Sequence, residues 1–172
     1  MNDHGSNMAA PRPAITKFMA EIFEDYERAE QGERAVLSLK REGTLSVLGI
    51  AVVARDPAGQ LSMIEAPNGP STEALTELLS KLSAAVSALP GQALGLMTNL
   101  GSWGDLVDFG VTQNFIQTLA NALLPGKAAV IAEIEEDWIT PLDLRVEEIG
   151  GRIMRTWRSE SEVAERTDPP QD

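Results

Sequence analysis

Two parts of this sequence share one pattern. Residues 15–55 and 128–158 each run from a strand-like apolar segment, through a helical segment, to a second strand-like segment. A strand–helix–strand unit lays its crossover helix on one face of its own sheet, and such crossovers take one hand. Two units of this kind within 172 residues, the size of one ordinary domain, leave few folds open. The expected architecture is α+β: a ferredoxin-like sandwich of one sheet, with its helices mainly on one face.

The segments read in chain order as strand, helix, strand, strand, helical insert, strand, helix, strand. In the first strand, Phe18, Ala20 and Ile22 share one face, and Lys17, Met19 and Glu21 the other. Asp25 is placed to cap a helix over 25–41, which Gly32 weakens and Gly43 ends. Residues 45–65 read as a hairpin around Asp56-Pro57-Ala58-Gly59, because proline presets φ and glycine supplies a positive one. The 71–89 segment spaces Leu75, Leu78, Leu79, Leu82 and Val86 along one helical face. A short helix follows over 113–124, then a strand over 128–135. Thr140-Pro141 reads as a helix start, with Thr as cap and Trp138 as a hydrophobic staple. Gly150-Gly151 then turns the chain into a last strand. The expected organisation is a flexible arm over 1–14, one domain over 15–158 with its helical insert at 70–107, and a polar tail over 159–172.

Composition removes several functions. Cysteine is absent, and the one histidine, His4, falls in the arm, so the commonest metal ligands and general base are missing from the folded part. Net charge is −12, against what nucleic-acid binding requires. The charge is uneven: residues 67–126 hold 4 acids and 1 base, while 127–172 hold 12 acids and 6 bases. Neither a signal peptide nor an apolar run of membrane-spanning length is visible, and the expected location is the cytoplasm. Asp108-Phe109-Gly110 matches a kinase tripeptide, but the other kinase motifs are missing and it reads as a turn. Glu133, Glu135, Glu136 and Asp137 lack calcium-loop spacing and read as a solvated strand end.

Two blocks carry a family resemblance. The first contains Asp108-Phe109-Gly110-Val111, then Phe115-Ile116, Leu119 and Leu123-Leu124-Pro125-Gly126-Lys127, and runs on to Glu136. The second contains Trp138-Ile139-Thr140-Pro141-Leu142-Asp143 and Gly150-Gly151-Arg152-Ile153-Met154-Arg155. Together they resemble the bacterial domain-of-unknown-function family numbered twelve sixty-nine, over roughly 15–158. The resemblance implies no defined activity. It marks Asp108, Phe109, Gly110, Pro125, Gly126, Trp138, Pro141, Asp143, Gly150 and Gly151 as motif residues of structural character. Many members carry an almost uncharged Gly/Ala-rich insert suited to a membrane. Here Glu73, Glu77 and Lys81 interrupt that pattern, and membrane contact becomes the second reading.

The function expected from these features is association rather than catalysis: a self-associating interaction or regulatory module, homodimeric or larger, which also contacts a protein partner. The leucine face (Leu75, Leu78, Leu82 and Val86) must be covered by the open face of the sheet, by the same helix of a second copy or by a membrane surface; with Trp103 it is the contact surface that association would use. No metal, cofactor or nucleic acid is expected. The alternatives are a stress-related protein at the membrane periphery and, as a minor reading, a small-molecule or metal-binding enzyme.

Overall fold

The computed structural model describes residues 16–65, 69–88 and 113–156. The expected arm, the polar tail and the 89–107 part of the insert lie outside them. Strand β1 (Thr16–Phe23) leads through helix α1 (Tyr26–Arg41) to β2 (Leu45–Arg55) and its hairpin partner β3 (Leu61–Glu65). Helices α2 (Glu73–Ala88) and α3 (Gln113–Ala122) come next, then β4 (Ala128–Glu136), α4 (Thr140–Ile149) and β5 (Arg152–Arg155). Among the described residues the fold is α+β: four helices and a five-stranded open sheet in the order β3-β2-β4-β1-β5. Every neighbouring pair is antiparallel. The connections through α1 and α4 each skip one strand of the sheet.

Local chemistry sets the element ends. The Asp25 carboxylate accepts from the Arg28 N–H at 2.8 Å, and Gly43 leaves α1 at φ +76°. In the β2–β3 turn the Asp56 carboxylate accepts from the Gln60 N–H at 2.8 Å, and Gly59 takes φ +88°. Thr72 caps α2: its hydroxyl accepts from the Leu75 N–H at 3.1 Å and donates to Glu133 at 2.5 Å. The α2 entry sits close to the sheet because β2 bulges between Val47 and Gly49. A side chain at Gly49 would lie 3.0 Å from Leu75. The Ile50 N–H also donates to the Pro70 carbonyl.

The helices cover both faces of the sheet, not mainly one. Phe18, Ala20 and Ile22 of β1 join Ala51, Val53, Ala129 and Ile131 beneath α2 and α3. Met19 and Phe23 join Val52, Val130 and Ile134 beneath α1 and α4. The cause is in the strands: β1 and β4 are apolar at both odd and even positions. A strand with two apolar faces needs cover on each. The expected insert therefore supplies the second layer within the same chain.

Candidate functional site

The leucine face lies inside the protein. Leu75, Leu78, Leu82 and Val86 are each at most 1 % exposed and pack on β1, β2 and β4 and on Phe115, Ile116 and Leu119 of α3. That face is occupied, which corrects its expected role as a contact surface. Sheet burial satisfies it more completely than a second copy must. Trp103, Asp108, Phe109 and Gly110 lie outside the described residues.

The acidic run is solvated only in part: Asp137 is exposed and Glu135 half-buried, but the other two acids are not solvated. Alternation sends Glu133 to the α2 face and Glu136 to the opposite face, and both are buried. Glu136 sits at the centre of an ionic group joining three strands and a helix. Lys17 of β1 reaches its carboxylate at 3.0 Å. Arg155 of β5 donates to it through Nε and Nη2. Arg155 also pairs with Asp143 of α4 at 2.7 Å. Burial opposes the Arg155 charge, yet Glu136 and Asp143 more than offset that and raise its pKa.

Glu21 lies on the same face and is fully buried. No donor among the described residues reaches either of its carboxyl oxygens. Burial pushes its pKa well above the usual carboxylate range; Arg155 pulls it back and Glu136 adds to the rise. Burial therefore favours the protonated form of this carboxyl. Its lid is α1: a side chain at Gly32 would lie 2.7 Å from a Glu21 oxygen and 2.5 Å from the Phe23 ring. Phe23 is held between Gly32 and Gly151, where a Cβ would also strike the ring. Except at Asp143, which reaches the surface, the group is closed to solvent, and it ties the elements together.

The other motif residues have local roles. Pro125-Gly126-Lys127 turns α3 into β4, with Gly126 at φ +88°. Its backbone pairs with Arg55: Gly126 N–H donates to the Arg55 carbonyl, and Arg55 N–H to the Lys127 carbonyl. The Arg55 guanidinium donates to the Leu123 carbonyl at 3.1 Å and the Gly59 carbonyl at 3.2 Å. One arginine thus caps α3 and braces the β2–β3 turn. Gly150, at φ +83°, ends α4. Pro141 stands in the first turn of α4, and Asp143 holds Arg155.

Trp138 departs from expectation. Ile139, not Thr140, is the N-cap of α4; it has helical φ and ψ and no side-chain cap bond. The helical backbone thus begins one residue early, and Trp138 is 63 % exposed instead of packed as a staple. Ile139 is 41 % and Leu144 54 % exposed. Leu144 had a signal in the sequence. Leu142 and Val146 define the inward face of α4 at i, i+4, and Leu144 falls about 200° from Leu142.

A pocket of about 330 Å³ opens where β1 ends, beside the starts of β4 and β5. Glu24, Lys127 and Arg152 line it together with Phe23, Leu124 and Gly151. Lys127 is already paired with Glu24 at 3.3 Å. Among the described residues no group of three or more Asp, Glu, His or Cys is placed to hold a metal, and no helix is long and apolar enough to cross a membrane. The chain matches no protein-family model, no curated protein and no solved structure.

Proposed function

We propose that the chain is a non-catalytic module that works by associating with a second copy of itself, built on a ferredoxin-like core. The core reading is supported by the order β2-β4-β1-β5, with α1 and α4 as the crossovers. On this reading β3, α2 and α3 are additions that widen the sheet and cover its second face. One observation carries the association reading. Trp138, Ile139 and Leu144 are exposed within seven consecutive residues, while the sheet's own apolar faces are covered in-chain. Large apolar side chains at a surface favour burial against a partner, and Trp anchors such contacts. The missing cysteine and the single histidine support a role without chemistry.

Sedimentation equilibrium tests the reading. The weight-average mass should rise with concentration between about 10 μM and 1 mM, as a small interface requires. A constant monomer mass over that range contradicts it. The exposed Trp138 also suits a membrane surface, so flotation with neutral and anionic vesicles separates the peripheral reading. Asp137, Glu147 and Glu148, all exposed near it, oppose anionic lipid.

A further inference from the structure

We infer that the outer ridge of α4 is the contact between two copies of this chain, laid antiparallel about Leu144. The inference rests on the self-association reading above. Helix α4 turns Leu142 and Val146 into the core and leaves Thr140, Leu144, Glu147 and Glu148 outward. The ridge is therefore apolar at its start, beside Trp138 and Ile139, and acidic at its end.

The last turn of α1 lies beside the apolar start. Glu42 pairs with Arg145 at 3.3 Å, and Leu45, just beyond α1, opposes Glu136, just before α4. That turn carries Lys40 and Arg41, both exposed. Neither of them, nor Glu147 or Glu148, makes an ion pair among the described residues. One copy thus presents two free bases and one free acid, Asp137, at one end of the ridge, and two free acids and one free base, Arg152, at the other, so the ends keep opposite net charge. A two-fold axis through Leu144 sets each acidic end against the partner copy's basic end, and makes that contact twice. The two α4 dipoles then run antiparallel as well.

Other occupants match the ridge less well. A basic segment meets Lys40 and Arg41, and an acidic segment meets Glu147 and Glu148. Only an occupant with both charges in the reverse order satisfies both ends, and a second copy has that order by symmetry. The ridge is about 15 Å long, so the dimer is weak and depends on concentration.

The test uses two charge-reversed forms of the full chain, one with Glu147→Lys and Glu148→Lys, the other with Lys40→Glu and Arg41→Glu. All four positions are exposed, and unchanged circular dichroism and melting temperature establish that the fold is kept. In sedimentation velocity each form alone should be at least tenfold weaker in dimerisation than the unaltered chain. An equimolar mixture should recover the dimer, because one contact of the mixed dimer is the original and the other has both its charges reversed, so that both are attractive. Leu144→Ser should weaken the dimer independently of charge. A dimer untouched by all three changes overturns the α4 contact and leaves self-association standing. A chain that stays monomeric overturns both.

Discussion

Glu21 is the residue where the sequence and the fold diverge most. Alternation in β1 places it opposite Phe18, Ala20 and Ile22, on the face that also carries the charged Lys17. The opposite face is buried too, and the reason lies eleven positions further on, outside the sheet: it is Gly32 of α1, whose missing side chain lets the helix close over the carboxyl. In sequence that glycine reads only as a weak helix former. The buried carboxyl makes stability depend on pH with a definite sign. Its folded pKa lies above the unfolded value of about 4.3. Stability is therefore full below that value and falls as pH rises toward the folded pKa, by about 1.4 kcal/mol per pH unit between the two. Glu21→Gln should remove this component, so that urea midpoints from pH 4 to 8 fall less for the variant than for the unaltered chain. A parallel pair of curves contradicts the assignment. Arg155→Met should cost about 3–5 kcal/mol in the same assay, because Glu136 and Asp143 lose their shared cation, one of them deep in the core.

The elements were largely legible. Each of the five strands and the helices α1, α2, α3 and α4 follows its apolar period, with Asp25, Gly43 and Asp56 acting as the punctuation they suggest. Periodicity shows which side of α2 is apolar but not what covers it. The leucine face reads equally as an interface and as a second core layer. The deciding feature is tertiary: α2 enters over the β2 bulge, through Thr72 and Glu133, and settles on the sheet. Leu78→Ala and Leu82→Ala should each lower unfolding stability by about 2–5 kcal/mol, with midpoints that do not change with protein concentration. Midpoints that rise with concentration in the unaltered chain, and lose that rise in these variants, return the face to the interface role. Gly32→Ala should also destabilise, by about 1–3 kcal/mol, although alanine is the better helix former. A gain in stability from that change contradicts the close packing of α1 on Phe23.

The whole molecule is a sheet covered on both faces within one chain, and three of the five large apolar side chains exposed among the described residues, Trp138, Ile139 and Leu144, gather at α4. That surface was hidden in the sequence by a reasonable inference, since a Trp before a Thr-Pro helix start reads as a staple. The helix begins one residue earlier than the Thr-Pro pair indicates, and the indole is left outside. Because the chain contains no cysteine, one introduced thiol reports on one position alone. The most direct test places it at the proposed two-fold axis, as Leu144→Cys, and compares it with Ser80→Cys on the exposed side of α2. Under mild oxidation or with a short bismaleimide, Leu144→Cys should yield a covalent dimer in proportion to protein concentration, and Ser80→Cys should remain monomeric. Equal or faster crosslinking at Ser80 would contradict the claim that copies of this chain meet along α4.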